Sequence, residues 1–152
     1  MFFSVLKFIH VLAAATAVGA NVTYGIWIAR ASRQPQNLPF VLDNVRLIDN
    51  RVANPCYALL LLSGLTMAFT IPLPLTTPWL LTALVIYILM ALAGALVYSR
   101  VMRSQIQLLE KEGFQSQAYQ AVARRSTQMG VVLVVLVVVI IFLMVAKPSL
   151  WG

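Results

Sequence analysis

The side chains able to do chemistry are few, and the first is the chain's single histidine, His10, set in a long apolar run. Phe2 to Arg30 reads as a membrane-spanning helix, and an ionisable residue at that depth normally faces protein, because hydrocarbon does not solvate it. At about 100° per residue, His10, Ala13, Ala14, Ala17, Asn21 and Tyr24 share one face; Phe8, Leu12, Gly19, Val22 and Ile26 share the other. A neutral imidazole on a polar, small-residue face either hydrogen-bonds across a helix interface or serves as a ligand.

Composition says what surrounds that residue. Of 152 residues, 61% are hydrophobic and 10% charged, against about 25% charged in soluble domains. The expected partner is therefore the lipid bilayer. The length allows about four spans of around 20 residues with loops, so residues 1–152 are expected to form a single integral-membrane domain. The net charge of +7 is read as a topology signal, and no nucleic acid is expected as a partner. A single cysteine, Cys56, excludes an internal disulfide and a Cys-rich metal site. Ala13 and Ala15 resemble a signal-peptide cleavage site, but the apolar run is too long and lacks a basic cluster before it, so the segment is taken as a span.

The spans fall at about 3–30, 55–71, 79–99 and 129–146. Residues 32–51 read as a polar loop with a short amphipathic piece, Phe40 to Ile48, lying at the interface. The second span is expected to start after Asn54 and Pro55, and Pro72, Pro74 and Pro78 force a tight connection to the third. Trp79 and Tyr98 mark the ends of the third span as interfacial aromatics. Arg100 to Thr127 is polar with one breaker, Gly113, and predicts helical extensions of spans three and four that turn outside the bilayer. The last span ends at Lys147, Pro148 and Trp151. Small residues Ala13, Ala17, Gly64, Ala91, Gly94 and Ala95 are expected where backbones approach closely.

Nine of the eleven basic residues lie after spans one and three; only Lys7 and Lys147 lie elsewhere. The fold class is thus an all-α, four-helix transmembrane bundle with both termini on the periplasmic or exterior side. With that topology, depths compare at 1.5 Å per residue: His10 lies about 10 Å below Phe3, Tyr87 roughly 12 Å below Trp79, Met67 about 6 Å below Ile71, and Met144 similarly shallow below Lys147. One layer would hold His10, Met67, Tyr87 and Met144, capped by Lys7 and Lys147. An imidazole, a weak thioether, apolar walls and cations near propionates are what haem b asks for, with His10 as the metal ligand. Methionine is also a common filler of apolar gaps, so Met67 and Met144 carry less weight than His10. A copper or zinc site wants several His or Cys ligands. The four acidic residues, Asp43, Asp49, Glu110 and Glu112, fall in loops, which leaves no intramembrane acid for a proton or ion path.

Leu6-Lys7-Phe8-Ile9-His10-Val11, Trp79-Leu80-Leu81, Ser99-Arg100-Val101-Met102-Arg103 and a valine-rich last span ending in Lys147-Pro148 resemble a small bacterial four-helix integral-membrane family of unknown function. More distantly the chain is similar to HemJ-type protoporphyrinogen oxidases and CopD-like copper-resistance membrane domains. The HemJ resemblance implies haem binding through a first-span histidine, which His10 matches by position. Those enzymes also carry a lysine soon after the tryptophan that opens span three, and the matching position here is Ala83.

The expectation is a multi-pass protein of the bacterial inner (plasma) membrane, haem b- or porphyrin-binding with a redox role. The alternative is a non-catalytic accessory subunit or assembly factor of a larger membrane complex; a protoporphyrinogen oxidase-like enzyme comes third, so whether the chain is an enzyme stays open. Because one histidine supplies one axial ligand, a homodimer or larger membrane complex is expected for a bis-histidine haem.

Overall fold

The computed structural model describes residues 1–71 and 73–150. Pro72 of the proline connection and Trp151 at the end of the last span lie outside the described residues. Among the described residues the structure is helical, without strands. Four helices are long and apolar enough to cross a membrane: Phe2–Ala31, Pro35–Thr70, Pro78–Glu112 and Gln117–Ala146. Hydrocarbon offers no hydrogen bonds, so such segments satisfy every backbone group within the helix and turn apolar side chains outward. Val138, 59% exposed, and Phe142, 61% exposed, are typical of this lipid-facing surface. The chain folds as two compact units, Met1–Leu75 and Thr76–Gly152.

In unit 1, α1 (Phe2–Ala31) is followed by a 3₁₀ turn (Pro35–Asn37), α2 (Leu38–Ile48), a π-helical turn (Asp49–Ala53) and α3 (Asn54–Thr70). The helix α1 packs along α3 and also against α2. Its buried residues are Ala13, Ala17, Tyr24 and Ala31. Phe8, Leu12, Val22 and Ile26 are exposed. The periodicity thus assigned the two faces correctly. The expected loop at 32–51 is corrected: beyond the bend at Ser32–Gln34 the chain is helical from Pro35 to Thr70. Leu38, Leu42 and Val45 form an i, i+4, i+7 stripe and are fully or almost fully buried. The amphipathic piece is therefore a packed helix of unit 1, and the second span is the distal part of that longer helix. Pro55 does not break the rod, although its ring would collide with the carbonyl four residues back, Arg51. That carbonyl sits in the π-turn, where the Asn54 N–H reaches the Asp49 carbonyl and the wider coil makes room.

In unit 2, α4 (Pro78–Leu92), a second π-turn (Ala93–Tyr98) and α5 (Ser99–Glu112) form one rod. After Gly113 comes α6 (Gln117–Ala146), which packs on both α4 and α5. Gly113 adopts φ 80°, ψ 173°, a conformation that essentially only glycine tolerates. The Ser116 hydroxyl caps α6 by accepting from the Tyr119 N–H at 3.0 Å. The predicted helical hairpin turning at Gly113 is what forms, sealed by Met102, Leu109 and Tyr119. One expectation fails here. Ala91 and Ala95 are exposed, and a Cβ on Gly94 would meet nothing within 4 Å. The π-turn inserts an extra residue and rotates the rod beyond it by about 100°; Ala91 lies before that turn, and its exposure has no such cause.

Candidate functional site

The site begins with the geometry around His10. The imidazole is half-buried and turned toward α3, where its Nδ1 lies 2.8 Å from the Ser63 hydroxyl. Ser63 has one proton to give, and its Oγ stands 2.5 Å from the Leu59 carbonyl, one turn back on α3. A hydroxyl that donates to Leu59 is left as an acceptor, so Nδ1 carries the ring proton and donates it to Ser63. The Leu60 carbonyl, on the same turn of α3, is a second acceptor within reach of the ring. The next residue on α3 makes the approach possible: a Cβ on Gly64 would stand 3.2 Å from His10 Cε1 and 3.7 Å from Nδ1. A Cβ there would oblige the ring to give way by a few tenths of an ångström.

A second polar tie holds the same two helices. Asn21 Nδ2 donates to the Tyr57 hydroxyl at 2.5 Å and to the Ala17 carbonyl at 2.7 Å. Between the ties lie Ala13 and Ala17, 5% and 2% exposed, where small side chains let the backbones close. Two polar residues of α1 that would be costly facing lipid are thus satisfied across one interface.

The other expected site residues divide between the units. Lys7 is exposed, three residues before His10 on the same helix. Met67 is half-buried, one turn along α3 from Ser63. Both therefore belong with His10 in unit 1. Tyr87 and Met144 are half-buried in α4 and α6 of unit 2. Lys147 ends α6 in a left-handed conformation, φ 46°, and sets its ammonium 5.6 Å from the centre of the Trp79 ring. Ser63 was missed by the sequence reading. The only hint of it was a hydroxyl beside a glycine in an otherwise apolar run.

Among the described residues no three His, Cys, Asp or Glu side chains are grouped to hold a metal ion. A lone imidazole suits a macrocyclic metal better than a bare ion, because haem iron arrives with four ring nitrogens and asks the protein for one or two axial ligands. A ring nitrogen fixed by a hydrogen bond, as His10 Nδ1 is by Ser63, is the second-shell arrangement such a ligand uses.

A family model described as "Predicted integral membrane protein (DUF2269)" matches residues 4–148. The chain belongs to this family. The match takes in His10, Ser63 and Gly64, so the site around the imidazole lies within the DUF2269 region. No curated protein and no solved structure matches the chain. The resemblance to a small membrane family of unknown function is thereby shown, whereas the more distant likeness to HemJ-type and CopD-like proteins is not.

Proposed function

We propose that this protein binds haem b or a related porphyrin in the bacterial inner membrane and has a redox role, with His10 Nε2 as an axial ligand. The observation that supports this most is the placement of His10 in the α1–α3 interface, with its Nδ1 2.8 Å from a Ser63 hydroxyl that is itself bonded to the Leu59 carbonyl. Haem, when bound, supplies one-electron exchange at a potential tuned by the axial ligand and its hydrogen bonds. Ser63 orients the ring and raises its basicity. Gly64 gives the ring its seat on α3, and Lys7 is a cation for a propionate. Met67 adds an apolar, polarisable wall. Tyr87, Met144 and Lys147 are carried by unit 2, and ligation by His10 does not depend on them. A bound haem would exchange electrons with quinone or a periplasmic partner, and a second imidazole, where needed, would come from another copy in a homodimer or larger complex. The basic residues after spans one and three put both termini outside; a carboxy-terminal alkaline phosphatase fusion is expected to be active.

Absorbance spectroscopy of protein purified from haem-replete cells tests this reading. A Soret band is expected, lost in His10→Ala and shifted in Ser63→Ala. A colourless wild-type protein overturns it. The same hydrogen bond also favours a second reading, a non-catalytic accessory subunit or assembly factor in which His10 only ties helices. That reading expects no pigment, co-purification of specific partners, and tolerance of His10→Gln. For a protoporphyrinogen oxidase-like enzyme, the position matching the required lysine is Ala83, which is 0% exposed. Complementation of a strain lacking that enzyme would be its test.

A further inference from the structure

At the other end of α1, about 25 Å along the helix from His10, unit 1 has a cleft of about 390 Å³. Trp27, Arg30, Gln34, Asn37, Phe40 and Asn44 line it. Its depth is set by sequence: α1 has no Lys, Arg, Asp or Glu from Phe8 to Ala29 and then meets Arg30, Ser32 and Arg33, so the cleft sits where hydrocarbon gives way to headgroups. Trp27 is 40% exposed and Phe40 74% exposed, flat side chains at the depth where aromatic residues favour the membrane boundary.

The polar groups of the cleft are biased toward donors. Arg30 offers a planar fork that matches a phosphate. Asn37 Nδ2 donates to Gln34 Oε1 at 2.8 Å, which occupies that oxygen and leaves the Gln34 amide N–H groups to donate outward. Asn44 spends one amide proton on the Phe40 carbonyl at 2.7 Å and keeps the other. No carboxylate lines the cleft, so an ammonium finds no anionic counter-charge in it.

From this combination we infer that the cleft holds the phosphodiester headgroup of an anionic phospholipid. The phosphate sits on Arg30 and Gln34, and the glycerol backbone lies against Trp27 and Phe40. A headgroup carrying its own cation finds no counter-charge there. A free inorganic anion would leave the aromatic walls unused.

The test uses the full chain in nanodiscs of phosphatidylcholine mixed with phosphatidylglycerol. Native mass spectrometry reads the retained lipid. In a Trp79→Phe/Trp151→Phe background, quenching of Trp27 by brominated phosphatidylglycerol reads its place. Phosphatidylglycerol is expected to be retained over phosphatidylcholine by about tenfold, the effect of one charge-assisted contact. Arg30→Gln abolishes that preference, and Arg30→Lys keeps part of it. Gln34→Glu, which places a carboxylate beside the phosphate, weakens it independently should Arg30→Gln fold poorly. The inference is overturned by equal retention of the two lipids, by an unchanged preference in Gln34→Glu and Arg30→Gln, or by an equal loss in Arg33→Gln, which lies outside the cleft and reports general surface charge. Displacement of the lipid by inorganic phosphate overturns it too, since the occupant is then the free anion.

Discussion

The two units are assembled from similar parts in opposite order. Unit 1 places a 30-residue helix before a rod interrupted by a π-turn; unit 2 places the interrupted rod first and a 30-residue helix after it. Hydroxyls bond back along their own helix in both units, as Thr66 does to Leu62 in unit 1, and unit 1 adds side-chain ties between helices. In unit 1, His10 and Asn21 reach across to Ser63 and Tyr57 on a neighbouring helix. In unit 2, the Thr82 and Ser99 hydroxyls donate to the carbonyls of Pro78 and Ala95 on their own rod. Ser99 shows why. Its N–H has moved to Gly94 in the π-turn, so Ala95 lacks its usual donor, and the hydroxyl replaces it at 2.5 Å. Hydroxyls that bond back along their own helix repair a backbone, whereas side chains that bond across helices define one register between two helices and leave a patterned polar site behind.

The sharpest way to break this contrast is Gly64→Leu. The new Cβ would begin 3.2 Å from the imidazole, and the atoms beyond it fill the space the ring occupies. Overpacking together with loss of the Ser63 bond is expected to destabilise the protein by about 3 kcal/mol, measured by unfolding in detergent, and to remove any Soret band. At Gly94 in unit 2 an added Cβ meets nothing within 4 Å, and Gly94→Leu is expected to cost far less. Equal costs would show that the two interfaces do not differ in this way.

A smaller effect is expected at the hydroxyls. Ser63→Ala strands the Nδ1–H of His10, and cross-helix hydrogen bonds in membranes are worth about 0.6 kcal/mol on average and up to about 1.7. Because the stranded donor is half-buried beside a fixed partner helix, the expected loss is near 1 kcal/mol. A double-mutant cycle with His10→Ala isolates the coupling. Tyr57→Phe, which removes the acceptor of Asn21, is expected to cost about 0.6 kcal/mol, and Ser99→Ala in unit 2 is expected to show no coupling to any residue of another helix. Zero coupling between positions 10 and 63 would mean the tie contributes nothing to register.

How much of this was legible in the sequence depends on the range of each signal. The face of α1 was legible because a 3.6-residue period is local, and the hairpin turn was legible because Gly113 interrupts an otherwise continuous polar helix. The helix at 35–53 was not. Its apolar stripe of Leu38, Leu42 and Val45 has helical spacing, but Pro55 read as the start of a new span, and continuity through Pro55 depends on a π-turn that no short pattern announces. The lone histidine marked the site, yet its partner depended on the register between α1 and α3, which is a tertiary property. The expectation for Gly94 rested on residue size alone, and a small residue permits a close approach without specifying one.

That failure supports the finest of the tests, Gly94→Ala against Gly64→Ala. Alanine is favoured over glycine inside a helix by up to about 1 kcal/mol. At Gly94 nothing lies within 4 Å of the added methyl, so the substitution is expected to be neutral or to stabilise unit 2 by a few tenths of a kcal/mol. At Gly64 the same methyl stands 3.2 Å from the imidazole Cε1, a contact that obliges the ring to give way by a few tenths of an ångström. The ring has limited freedom to do so, because Ser63 holds its Nδ1 at 2.8 Å and is itself held by Leu59. The propensity gain is therefore offset, and Gly64→Ala is expected to be destabilising. Opposite signs for one chemical change isolate the effect of the imidazole from that of the helix. Should Gly94→Ala instead destabilise by more than about 1 kcal/mol, that glycine is covered in the membrane by another helix, and unit 2 has a close-packed face of its own.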